Sequence, residues 1–167
     1  MDITESPAAL EVAQLRWEWT YATDTSTPPW TAEENFVAAV AEWMTDGRRS
    51  VWVARTAIRP VGMVCLTEYQ RMPRPSTRYP ACWGYLGHLF VHPAHRGHGI
   101  GAALVTAATA VADDRGYSKV MLSPTPASIP LYLRCGFTGD TDTMIRTPTT
   151  NSAPTVRSGE PGRGNPQ

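Results

Sequence analysis

Lysine is almost missing from this chain: Lys119 is the only one, so fourteen of the fifteen basic residues are arginines. Basic and acidic residues number fifteen each, so the formal net charge is zero and no overall field draws the chain to nucleic acid or an anionic membrane. Alanine and proline are as plentiful as arginine, which is the mark of a biased composition, not of a recognition role for arginine as a class. Cysteine is scarce. Cys65, Cys82 and Cys135 are odd in number and widely spaced, which argues against a disulfide scaffold and for a reducing, cytoplasmic setting. No apolar run reaches the roughly 18 to 20 residues that a membrane helix needs, and Met1 to Glu5 lacks the basic and apolar segments of a signal peptide. No Gly-Lys-Ser or Gly-Lys-Thr occurs, which excludes a nucleoside triphosphate P-loop.

What is present fits one globular unit, expected over residues 1–147. Beyond Pro148 the chain is Thr, Ser, Pro, Gly and Asn with little to bury, so 148–167 reads as a disordered tail. Ser6-Pro7 offers a cap and first-turn proline for a helix to about Tyr21, with Leu10, Ala13 and Trp17 on its apolar face. Thr31-x-x-Glu34 reads as a capping box opening a second helix over about 31–46, stopped at Gly47. The period then shortens. Val51 to Ala54 and Val61 to Leu66 predict a hairpin, Arg71 to Pro80 an irregular loop, and Trp83 to Val91 a third strand. An alanine-rich helix over about 99–115 follows, then a strand at Val120 to Leu122, a short helix over 127–134 and a last strand at 144–146. The order predicts an α/β domain with a mixed sheet.

The densest signal is Leu89-Phe90-Val91-His92-Pro93-Ala94-His95-Arg96-Gly97-His98-Gly99-Ile100-Gly101. A strand ends, a turn follows, and glycines open a helix. Glycine lets the backbone come close to a ligand, and unpaired amides at a helix start, reinforced by its dipole, suit a pyrophosphate. Gly97-x-Gly99-x-Gly101 lacks the dinucleotide-binding spacing and comes late in the chain. His92, His95 and His98 straddle strand end, turn and loop, with no carboxylate or cysteine to complete a metal set, so no metal is expected.

Arg96-x-x-Gly99-x-Gly101 after Leu89-Phe90-Val91-x-Pro93, followed by Gly116-Tyr117 and by Leu131-Tyr132-Leu133-Arg134-Cys135-Gly136-Phe137, resembles the GNAT superfamily of N-acetyltransferases over about residues 83–138. The resemblance implies the GNAT fold, a central mostly antiparallel sheet flanked by helices, and acetyl-CoA as cosubstrate. It implies that the backbone of Leu89, Phe90 and Val91 pairs with the pantetheine arm, and that Arg96, Gly97, His98, Gly99, Ile100, Gly101 and Ala102 form the pyrophosphate loop. Thr125 stands where the family usually has a cofactor-contacting Asn, and Tyr132 takes the place of the general acid. His88, beside the acyl-binding segment, is the expected base; Glu68 is its rival, and Tyr85 and Gly87 hold alternative positions. Trp17, Trp19, Tyr21 and Trp30 are candidates for an acceptor pocket or for core, and Arg71, Arg74 and Arg78 for anion recognition or a solvated loop. The expected reaction is direct acetyl transfer to a small-molecule amine, with a homodimer allowed. The rivals are acetylation of a protein N-terminus or lysine, and a non-catalytic acyl-CoA-binding module.

Overall fold

The computed structural model describes residues 1–5, 7–22, 29–72, 75 and 82–139. Among the described residues five strands form one sheet in the order of the chain: β1 (Asp2–Glu5), β2 (Arg49–Arg55), β3 (Pro60–Gln70), β4 (Cys82–Val91) and β5 (Val120–Met121). Each neighbouring pair is antiparallel except β4 and β5, which run parallel because the helix between them returns the chain to the same end. The expected mixed, mostly antiparallel sheet is thus present. Helices α1 (Ala9–Thr20) and α2 (Glu34–Met44) precede the hairpin, α3 (Ile100–Asp114) joins β4 to β5, and α4 (Ile129–Arg134) follows β5.

Period-two alternation sorts the sheet residues onto two faces. Val51, Val53, Met63, Cys65 and Phe90 pack with Val12 and Leu15 of α1, and Val40, Trp43 and Met44 of α2 lie against them. Trp52, Ala54, Val64, Leu66 and Leu86 face the other way and pack with Ile100, Leu104, Val105, Ala108 and Ala112 of α3. Two separate cores on either side of one sheet follow, with the α3 core the larger.

Several boundaries differ from the sequence-based expectation. β1 was not expected; four residues with a single aliphatic side chain carry too weak a period, and the strand exists because it pairs with β2 from Asp2–Arg55 to Glu5–Trp52. α1 starts at Ala9 behind Ala8, which has no side-chain cap, so Pro7 lies before the helix; Ser6 lies outside the described residues. Leu10, expected on the buried face, is exposed. The capping box at Thr31 and Glu34 does not form: Glu33 takes the cap position without a side-chain bond, and its amide donates instead to the Thr31 carbonyl at 2.8 Å. The expected strand at 144–146, the tail at 148–167, and Arg74 and Arg78 lie outside the described residues.

Candidate active site

Two departures from regular geometry build the site, and both lie on β4. The first is where β5 stops. β5 pairs with β4 only at Gly84–Val120 and Tyr85–Met121, so from Leu86 to Val91 that edge of β4 has no strand partner among the described residues. The side chains of Leu89 and Val91 pack against the α3 core and Phe90 is buried on the opposite face, which leaves the backbone edge as what this segment can offer a ligand. One lone pair of the Val91 carbonyl is already used, since Arg96 Nε donates to it at 3.0 Å and straps the following loop to the strand.

That loop leads into α3. Gly97 (φ 80°) and Gly99 (φ 78°) are left-handed, the region that favours glycine, and a Cβ at either would meet nothing within 4 Å. The amides of residues 97 to 102 donate to no backbone carbonyl among the described residues, whereas Ala103 begins the helical ladder by donating to Gly99. Open space in front of unpaired amides at the positive end of a 15-residue helix suits a pyrophosphate. Arg96, His98 and Gly99 are exposed, while the Ile100 side chain is buried in the α3 core and only its amide is available. Gly101 has another role: it is helical, and a Cβ there would come within 3.3 Å of Leu131, so its missing side chain lets α4 lie against the start of α3.

α4 carries Tyr132, and its ending fixes that residue in place. Gly136 is left-handed (φ 86°), and the Phe137 amide returns to the Tyr132 carbonyl at 3.0 Å, the hydrogen bond of a Schellman stop. The turn folds the Phe137 ring back onto the Tyr132 ring, centroids 5.8 Å apart and nearly edge-on. The Leu-Tyr-x-x-x-Gly-Phe pattern is therefore a device for orienting one phenol. Tyr132 is half-buried, and desolvation raises its pKa, with Tyr85 and Cys135 acting the same way. Thr125, ahead of this helix, is exposed and donates its hydroxyl to Ser128 at 3.1 Å, a local turn bond.

The second departure is a bulge. Met63 pairs with Phe90 and Cys65 with Gly87, so His88 and Leu89 together face the single residue Val64. His88 takes φ 55° and is the one non-glycine residue with positive φ among the described residues. Leu86 points to the α3 face, and simple alternation would send His88 there as well. The bulge turns it instead to the α1/α2 face, where its ring meets Trp19 (6.2 Å) and Trp43 (5.7 Å) edge-on. There it lines a cavity of about 260 Å³ between the sheet and helices α1 and α2. His88 stays exposed overall, but its neighbours desolvate the ring and lower its pKa, and Arg16 of α1 and Arg49 of β2 act in the same direction. The imidazole is therefore neutral at pH 7, with a lone pair able to accept a proton. In an NMR titration of the four histidines, the resonance lost on His88→Gln is expected to have its midpoint below 6.5, and Arg16→Gln is expected to move it upward. A midpoint at or above 6.5 would contradict this description of the site.

The rival base, Glu68, stands elsewhere. It pairs with Gly84, four residues before His88 and about 13 Å along the strand. Its Oε2 accepts from the Tyr117 hydroxyl at 2.7 Å, so it ties β3 to the end of α3. Of the aromatic candidates only Trp19 reaches His88. Trp17, Tyr21 and Trp30 stack among themselves, and Trp30 continues to Phe36. The cavity wall comes from Val12 and Arg16 of α1 and from Phe36, Val40 and Trp43 of α2, whose helical spacing in the sequence points only to core. His92 accepts from the Ala94 amide and faces His95; among the described residues no three His, Cys, Asp or Glu stand close enough to share an ion.

These features have known counterparts. N-acetyltransferase 8B of Rattus norvegicus is 32% identical over 98 residues, a stretch taking in 57% of this chain and 42% of the rat protein, so less than half of that relative is matched. A GCN5-related N-acetyltransferase from Ralstonia eutropha JMP134 has the same fold with a TM-score of 0.66 at 25% identity, over 87% of this chain and 97% of its own. A predicted acetyltransferase from Clostridium acetobutylicum, solved with acetyl-CoA, also gives 0.66 at 14% identity, over 87% of this chain and 95% of its own. Residues 10–137 match the acetyltransferase (GNAT) family, and with the sheet, the glycine loop and these counterparts in view the chain belongs to that family of acyltransferases.

Proposed function

We propose that the chain transfers the acetyl group of acetyl-CoA directly to the amine of a small molecule seated in the cavity beneath α1 and α2. The observation that carries this reading is His88, turned by the bulge into that cavity while the neighbouring edge of β4 opens toward the glycine loop. The amides of Gly97 to Ala102 hold the pyrophosphate, and Leu89 to Val91 receive the pantetheine arm as an added strand. Acetyl-CoA supplies the thioester. His88 accepts the proton of the attacking amine, a backbone amide near Leu89 stabilises the oxyanion, and Tyr132 gives its proton to the departing sulfur. One C–N bond forms and one C–S bond breaks, and no protein nucleophile is needed.

The test is release of free thiol from acetyl-CoA by the full chain against a panel of small amines and of peptides with free N-termini or lysines. Turnover of small amines is expected, with product masses raised by one acetyl group. Turnover of peptides alone would overturn the acceptor assignment. Binding of CoA with no thiol release from any acceptor would favour the non-catalytic module.

A further inference from the structure

The charges around the cavity narrow the acceptor further, given the transfer reaction proposed above. Its walls are apolar and partly aromatic, with Phe36, Val40, Trp43 and Met63 among them, and no carboxylate lines it among the described residues. The two ionisable side chains facing the space other than the Cys65 thiol are His88 and Arg16. Arg16 lies over the Trp19 ring, its guanidinium carbon 4.8 Å from the ring centroid, and pairs with no acidic residue among those described. Its position on α1 makes this unusual. The two acidic residues of that helix are already taken, Glu11 by Arg55 and Glu18 by Arg59. Nearby Arg49, 4.5 Å over Trp43, is spoken for differently: it donates to the Trp43 carbonyl at 2.6 Å and lies 3.5 Å from Asp46. The cavity thus has an apolar body, a neutral base at the bulge, and one arginine with no counter-charge among the described residues.

We infer that the acceptor is a small amine carrying a carboxylate on an apolar, ring-sized body, and that Arg16 binds the carboxylate while Phe36 and Trp43 hold the body. Size agrees: about 260 Å³ lies just under the range of roughly 300 to 1,000 Å³ usual for ligand pockets, room for one ring or branched side chain. Electrostatics excludes the opposite class. A polyamine, or a lysine side chain flanked by other cations, would meet Arg16 in the wall with no carboxylate among the described lining residues to receive it. Around the reacting nitrogen the same positive field favours the neutral amine over the ammonium, and only the neutral form attacks.

The experiment compares phenylalanine, phenylalaninamide, phenethylamine and spermidine as acceptors for the full chain and for Arg16→Gln and Arg16→Lys. A charge-assisted hydrogen bond of this kind is worth about 10- to 100-fold. In the wild type, kcat/KM is expected to be highest for phenylalanine and lowest for spermidine. Arg16→Gln is expected to lower kcat/KM for phenylalanine by about that factor, through KM, with a much smaller effect on phenylalaninamide, and Arg16→Lys to recover part of the loss. Preference for spermidine or phenethylamine, or an equal loss on the acid and its amide in Arg16→Gln, would overturn the inference while leaving acetyl transfer standing. Absence of thiol release with all four, and with the wider panel of amines, would instead remove the transfer reaction on which it rests.

Discussion

Replacing Tyr132 with Phe is expected to lower turnover by about 10² to 10⁴ while leaving CoA affinity and thermal stability close to those of the wild type. The separation follows from what the substitution removes. The ring remains, and with it the edge-on contact to Phe137 and the Schellman stop at Gly136 that hold α4 in place. Only the hydroxyl goes. Desolvation raises the phenol's pKa, so the proton is present at neutral pH and stands ready when negative charge develops on sulfur. The pyrophosphate site consists of backbone amides that the substitution leaves in place, so calorimetric titration with CoA should not change. Tyr132→Ala makes the contrast: it removes the ring as well, and its loss of activity should come with a lower melting temperature. Unchanged turnover in Tyr132→Phe would remove the acid assignment and, with intact CoA binding, bring the non-catalytic reading forward.

How far the sequence could carry this depended on the kind of signal. The α3 helix, the hairpin and the strand running to Val91 were legible because their periods are long and their ends are marked by Gly99, Gly116 and Pro93. The glycine loop was legible for a backbone reason: two left-handed residues before a helix admit little other than glycine. β1 was not, because an edge strand of four residues depends on its partner, not on its own pattern. Neither was the cavity. Its wall comes from α1, α2 and three strands that are far apart in the chain, and the stripe of α2 that forms it has the same spacing as an ordinary core face. Arg16 was lost among fourteen arginines; only the structure shows that its neighbours' acids are engaged elsewhere. His88 stood out in the sequence only by adjacency to the segment expected to bind the acyl group, and alternation from Leu86 would place it on the α3 face. The extra residue that turns it leaves no mark of its own, since the usual occupant of such a left-handed position is glycine and here it is histidine.

That last point gives a prediction in which stability and activity part. His88→Gly should lower turnover by about 10² to 10⁴, as loss of a general base does, while being no less stable than His88→Ala. In an ordinary strand the order would be reversed, because glycine there costs about 0.5 to 1 kcal/mol relative to alanine. At φ 55° a non-glycine residue carries roughly 1 to 2 kcal/mol of strain, which alanine retains and glycine relieves. Both variants lose the edge-on contacts to Trp19 and Trp43, so those contacts cancel in the comparison. Thermal or urea unfolding of the two proteins measures the difference directly, and alanine more stable than glycine would mean that the bulge does not hold this conformation in solution. Activity carries a second control. Added imidazole should restore part of the turnover in His88→Gly, where the vacated space opens onto the cavity, and should do nothing for Tyr132→Phe. A strained histidine kept where glycine would fit without strain makes sense if its ring takes a proton there; turnover undiminished in His88→Gly would leave the strain without a purpose and the base elsewhere.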